Sequence, residues 1–368
     1  MRPEPARRAV WRKLTFLLPF LAPACAPEGP RVRETAEVGT IEQSPAIVGR
    51  DGGGSEVVFG QSVWSYGDTV LAELDAEGRN WHHNSYSMTT DFDASDGIGG
   101  FYEPPDAANQ PREWFPPTEE EAAYNALHFS EDCEEPPCNA RWAVWPGTPN
   151  WDEERQRALV VYGVIHLGDD DPPGGGQSIA VWSDPDALPV RPILRSEGPT
   201  PDVMWAPDEG SWGTATTIDG DFMYAFSCDE GGLSRPCRLG RGPLEEVQDR
   251  EAWRYWDGAD WSAEMDDAIV LFDGAPILSL AWNDYLEAWL AMYSPPFAGC
   301  VKARTAPALT GPWSAEADIY KVPGDSPYDA NHHPEYAEEG GRVEYVTFSR
   351  HTEGWFGAEM VLVRVEFQ

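Results

Sequence analysis

From about residue 45 onward, apolar residues recur in short β-branched and aromatic runs broken by Gly, Pro, Asp and Asn. Examples are Ser62–Tyr66 with Thr69–Leu74, Ala158–Leu167, Ser178–Trp182, Thr214–Ile218 with Phe222–Ser227, Ala268–Phe272 and Trp289–Tyr293. The last pair is Val343–Ser349 and Met360–Phe367. Runs of this length, separated by turn residues, predict many short antiparallel strands. Gly67-Asp68 and Asp219-Gly220-Asp221 read as tight turns between partners. A helical period is expected only in the Pro- and Glu-rich stretch 103–140, as a short helix near Thr118–Leu127. A chain of this length built from strands must manage its sheet edges, and a propeller or a large sandwich does so. The periodicity does not separate the two.

The beginning of the chain has a different pattern. Arg2, Arg7, Arg8, Arg12 and Lys13 precede an apolar stretch, Leu14–Ala24, which is too short to cross a bilayer as a helix. Such a segment reads as an export signal over 1–24. Ala22-Pro23-Ala24-Cys25 resembles a bacterial lipobox, so lipidation of Cys25 and attachment to a membrane are expected, with secretion as the alternative. Residues 25–44 are polar and read as a tether, leaving 45–368 as one domain.

Export changes the reading of the cysteines. Cys133 with Cys138 and Cys228 with Cys237 are close pairs in loops, and an oxidising compartment favours a disulfide in each. Zinc is the rival, but no C-x-x-C pair is present. Cys300 is left over, as a small buried residue. Asp plus Glu number 63 against 26 Lys plus Arg, which argues against nucleic acid as a partner. The 17 Trp residues can fill a core or stack on sugar rings.

Gly49-Arg50-Asp51-Gly52-Gly53, followed by a strand ending in Tyr66-Gly67-Asp68-Thr69, resembles the most specific mark of the bacterial domain-of-unknown-function 4185 family. Asn84-Ser85, Trp145-Pro146-Gly147, Trp212-Gly213, Trp253–Trp256 with Trp261, Gly311-Pro312-Trp313-Ser314 and His333-Pro334-Glu335 follow in the family's order. The resemblance implies a five-bladed β-propeller. It also implies kinship with the endo-D-arabinanases of glycoside hydrolase family 183, in which two Asp of the first blade carry catalysis. Those two correspond to Asp51 and Asp68.

Glycoside hydrolysis needs two carboxyl groups at the scissile bond, one to protonate the leaving oxygen and one to attack or to activate water. Asp51 and Asp68 are the expected pair, although Asp also caps turns. Trp145 and Trp212 are candidates to stack on sugar, and Asn84, Asn283 and His333 to hydrogen-bond its hydroxyls. Glu335 is a possible third carboxylate that tunes a neighbour. The insertion 103–140 and the acidic loop Asp91–Gly100 are expected to shape the cleft. Asp91, Asp93 and Asp96 miss the calcium-loop spacing, so no metal is expected, and no cofactor motif is present. The expected partner is a polysaccharide or oligosaccharide bound by a monomer. A non-catalytic carbohydrate-binding or scaffold propeller is the alternative.

Overall fold

The computed structural model describes residues 27–129, 132–168, 175–194, 202–228, 234–322, 326–352 and 357–368. The expected short strands form five antiparallel sheets. Strand β1 (Val32–Thr40) comes first in the chain but belongs to the last sheet. Blade one is β2 (Ile47–Val58) and β3 (Gln61–Leu71), with β4 (Trp81–His82) and β5 (Ser85–Thr89) both beside β3. Blade two is β6 (Arg141–Asp152), β7 (Arg157–Leu167) and β8 (Gly176–Trp182). Blade three is β9 (Ala215–Asp219), β10 (Phe222–Cys228), β11 (Pro236–Pro243), β12 (Arg254–Trp256) and β13 (Trp261–Ser262), with β14 (Phe272–Asp273) beside β11. Blade four is β15 (Leu278–Asn283), β16 (Ala288–Tyr293), β17 (Cys300–Ala306) and β18 (Ala317–Lys321). Blade five is β19 (Tyr328–His332), β20 (Val343–His351) and β21 (Ala358–Phe367), closed on its outside by β1.

The first strand of each blade is the innermost, and β2, β6, β9, β15 and β19 touch in that order around a closed circle. This is the five-bladed propeller. Its core lies between the blades as five apolar clusters, one per interface. Trp64 and Tyr66 of blade one, for example, pack with Val343, Tyr345 and Leu362 of blade five. Each such fully buried side chain stabilises the interface by about 1.5–3 kcal/mol.

Three expectations are corrected. Residues 32–40, read as part of a tether, are β1, whose pairing with β21 closes the ring. An outermost strand buries little, so its polar sequence VRETAEVGT looks like a linker. Gly67-Asp68 is not a turn: β3 runs through it, and the β2–β3 hairpin turns at Phe59-Gly60, both in the left-handed region (φ 53° and 77°). That is the backbone a two-residue hairpin loop requires. Within Ala268–Phe272, only Phe272 enters a strand.

The turn Asp219-Gly220-Asp221 joins β9 to β10 as expected. Helix α1 (Glu119–His128) starts at Thr118, whose hydroxyl accepts the Glu121 N–H, while the Glu121 carboxylate accepts the Thr118 N–H. This capping box explains why so acidic a segment is helical there. Disulfides join Cys133 to Cys138 and Cys228 to Cys237, and Cys300 is free and buried. Cys25 lies outside the described residues.

Candidate active site

The five inner strands surround a cavity of about 380 Å³ on the propeller axis. Each contributes its early residues: Asp51–Gly54, Trp145–Thr148, Ala215 and Thr216, Leu278, and Tyr328, Asp329 and Asn331. A second cavity of about 270 Å³ takes later residues of the same strands, including Glu56, Asn150, Ile218, Trp282 and His332. Thr148, Thr216 and Leu278 line both, so the cavities are stacked along one channel.

Asp51 and Asp68 reach the first cavity through two irregularities in the β2–β3 ladder. Arg50 pairs with Thr69 and Gly52 with Tyr66, so β3 carries one extra residue opposite Asp51. Gly52 then pairs with Tyr66 and Gly54 with Ser65, which leaves Gly53 extra on β2. Bulges of this kind turn a strand and re-aim its side chains. Gly52 and Gly53 adopt φ of 85° and 103°, which only glycine takes at low cost. Gly67 serves a different need: a Cβ there would lie 2.5 Å from Asp51 Oδ1.

The electrostatics set the carboxyls apart. Burial, with the Asp68 charge second, pushes Asp51 up to about 7, against the pull of backbone N–H groups of Asp68 and of Asp51 itself. A third carboxyl, Asp329, is 4% exposed. Burial, then the Asp51 charge, raises it well above the usual carboxylate range, although its Oδ2 accepts the Gly52 N–H at 3.1 Å. The hydroxyl of Tyr328 is also raised, first by Asp329, then by burial and by Asp51 and Asp68. Asp68 Oδ1 accepts two hydrogen bonds, from Trp81 Nε1 at 3.0 Å and from His83 Nδ1 at 2.9 Å. Arg50, next to Asp51, is committed elsewhere: it pairs with Glu103 at 3.2 Å and lies 3.5 Å over the Tyr66 ring.

Of the expected sugar-binding residues, Trp145 lines this cavity and is 39% exposed. The others are placed elsewhere. Asn84 is buried, donating to the carbonyls of Phe115 and Val144 and accepting from the N–H groups of Trp114 and Phe115. It pins the 103–140 segment to blades one and two. Trp212 is in the core between blades two and three. Asn283 donates to Gly341 O and Glu344 Oε1 and accepts the Leu286 N–H, bracing blade four against blade five. His333 is fully buried, stacked on Trp64 and bonded to Ser55 and Thr347. Glu335 accepts from Ser55 and Ser62 and does not line the first cavity. Its charge acts on Glu56, which burial first and Glu335 second push up to about 8.

Neither the 103–140 segment nor the Asp91–Gly100 loop lines the cavity. The segment packs Trp114 and Phe115 into the core instead, and the loop folds on its own Asp turns. No cluster of three or more His, Cys, Asp or Glu suited to a metal occurs among the described residues.

Asp329, Tyr328 and His83 are the residues that the sequence reading missed. Each had a signal. Asp329 lies four residues before His333-Pro334-Glu335, and His83 immediately precedes Asn84.

Residues 195–356 match the family model described as "Domain of unknown function (DUF4185)". That span takes in blades three and four and strands β19 and β20 of blade five, including Asp329 but not Asp51 or Asp68. The comparison with curated proteins gave no match. Among solved structures, the catalytic domain of the GH62 α-L-arabinofuranosidase of Coprinopsis cinerea is similar at 12% identity, over 92% of this chain and 98% of that one, with a TM-score of 0.50. The α-L-arabinofuranosidase PaAbf62A of Podospora anserina, in complex with cellotriose, follows at 12% identity over 93% and 98%, TM-score 0.48. The GH43_1 enzyme of Xanthomonas citri is 10% identical over 90% and 89%, TM-score 0.48. At these identities the likeness is one of fold.

Proposed function

We propose that this propeller, whose residues 195–356 match the DUF4185 family, is a glycoside hydrolase acting on a furanose-containing polysaccharide of the D-arabinan type. The observation that carries the reading is the convergence of Asp51, Asp68 and Asp329 at one axial cavity, with Asp51 raised to about 7. A general acid must still hold its proton at neutral pH, and a carboxyl raised this far does so in about half of the molecules.

In this reading Asp51 donates its proton to the glycosidic oxygen as the bond to the anomeric carbon breaks. Asp68, held by N–H donors, acts as the carboxylate that attacks that carbon or deprotonates the incoming water. Asp329 resists ionisation beside Asp51, and so does not add a further charge that would repel an electron-rich leaving group. Tyr328, 50% exposed, and Trp145 form apolar walls on which a sugar ring can stack. The glycine-rich wall of Gly52, Gly53, Gly67 and Gly147 lets the ring approach the backbone. Export, and a lipid on Cys25 that holds the protein at a membrane, complete the proposal.

The test is hydrolysis of a polysaccharide panel that includes D-arabinan, by wild type, Asp51→Asn and Asp68→Asn, read by release of reducing ends. Cleavage by wild type and its loss in both folded variants supports the reading. Binding without cleavage in all three proteins replaces it with a carbohydrate-binding propeller.

A further inference from the structure

We infer that His83 is a positioning residue for Asp68, locked in a single tautomer by Arg141 across the interface of blades one and two. The inference rests on the reading of Asp68 as the reacting carboxylate.

Arginine has hydrogen-bond donors and no acceptor. Arg141 Nε lies 3.0 Å from His83 Nε2, so Nε2 must present its lone pair. The neutral ring then carries its proton on Nδ1, which lies 2.9 Å from Asp68 Oδ1 and donates to it. The direction of the relay is fixed from its far end: Arg141 to His83 to Asp68. An imidazole without that restraint could turn a lone pair towards Asp68 and repel it.

The elements hold each member in place. Arg141 opens β6 and stacks over the Phe129 ring at 4.1 Å, at the end of α1. Burial pulls its pKa down, and the Asp68 charge pushes it back up. His83 follows β4 and is 14% exposed at its side chain, so water competes little for the ring. Trp81, on β4, donates to the same Asp68 oxygen. Two N–H donors on Oδ1 fix the rotation of the carboxylate and assign the reaction to Oδ2. A carboxylate that keeps its angle between turnovers loses less to misalignment, which acts on kcat rather than on substrate affinity.

Two substitutions separate positioning from general structural support. In His83→Asn the amide nitrogen occupies nearly the place of Nδ1, so the donor to Asp68 is kept and the contact with Arg141 is lost. In His83→Gln the amide reaches the place of Nε2, so the contact with Arg141 is kept and the donor to Asp68 is lost. The expected result on the polymer that wild type cleaves is a fall in kcat of tenfold or more for His83→Gln, with KM within twofold. His83→Asn should recover at least a third of the wild-type kcat. Equal losses in both variants, or a change confined to KM, would overturn the assignment.

A second readout needs no activity. In protein labelled with ¹⁵N-histidine, with His83 identified by its absence from the His83→Asn spectrum, the proton should reside on Nδ1. Arg141→Met should let it redistribute toward Nε2. A proton on Nε2 in wild type refutes the lock whether or not any polymer is cleaved. A proton on Nδ1 in a protein that cleaves nothing leaves the lock standing and removes the catalytic reading instead.

Discussion

The Gly52 N–H donates to Asp329 Oδ2 at 3.1 Å, joining the inner strand of blade one to that of blade five beside Asp51. The bond brings a carboxyl from the end of the chain against one from its beginning. Asp329 itself has φ of 53°, an uncommon conformation for a residue other than glycine. The environment of Asp51 is therefore a product of ring closure.

The first prediction concerns pH. Asp51 must be protonated to act as the acid, so kcat/KM should fall as pH rises through about 7. The Asp68 charge contributes to that elevation. In Asp68→Asn, NMR titration should find the Asp51 carboxyl below its wild-type midpoint. An unmoved or raised midpoint would contradict the electrostatic account.

Gly67→Ala should damage activity without damaging the fold. The added methyl would lie 2.5 Å from Asp51 Oδ1, while the backbone at Gly67 is one that alanine accepts. Polymer assays should show at least a tenfold loss, with a thermal midpoint within a few degrees of wild type. Full activity would mean that Asp51 need not hold its observed position.

Asn84→Ala should do the reverse. The side chain makes four hydrogen bonds to buried backbone groups, and truncation leaves those groups unpaired. A loss of about 3–5 kcal/mol in denaturant unfolding is expected, with normal turnover per folded molecule at low temperature. A stable Asn84→Ala with weakened polymer binding would restore Asn84 as a ligand for sugar.

Stability should itself depend on pH. Glu56 and Glu344 are both raised to about 8 by burial, with the Glu335 charge adding to each. The folded protein therefore binds protons that the unfolded chain releases near pH 4.5. The stabilisation is complete below that value and is lost as pH rises through 8, on the order of 5 kcal/mol for one such group. The thermal midpoint should decline between pH 5 and 9, and Glu56→Gln should flatten the decline. A midpoint that rises over this range would show that neither carboxyl is held neutral.

The sequence made the all-β class legible because runs such as Ala158–Leu167, Phe222–Ser227 and Val343–Ser349 are short, rich in β-branched and aromatic residues, and bounded by turn residues. It offered Asp51 and Asp68 through the resemblance of Gly49–Gly53 and Tyr66–Thr69 to a family motif, and the fold brings both to one cavity. It hid β1, since an outermost strand buries one side at most. It hid Asp329, because its meaning depends on a residue 277 positions away. Asn84, Asn283 and His333 were misplaced for one shared reason. A polar side chain that satisfies buried polar groups of the protein has the same composition as one that meets a ligand, and only the partners tell them apart.

The strand that closes the ring also sets the end of the channel at which the chain enters the propeller. Val32 of β1 pairs with Phe367, whereas Thr40 pairs with Val361. Following the ladders inward, Val343 lies beside Glu366, Val346 beside His332, and Ser349 beside Tyr328. The chain thus enters the propeller at the His332 end of the channel, opposite the carboxylates. Pro27 is already fixed there, its carbonyl accepting the Ala315 N–H. Cys25 is two residues earlier, a span of about 7 Å. The lipid proposed for that cysteine would tether the propeller by its His332 end, with Asp51 and Asp68 at the other end of the channel. Tethered so, the protein would present the mouth that Asp51 and Asp68 line to polymer arriving from the space beyond the membrane.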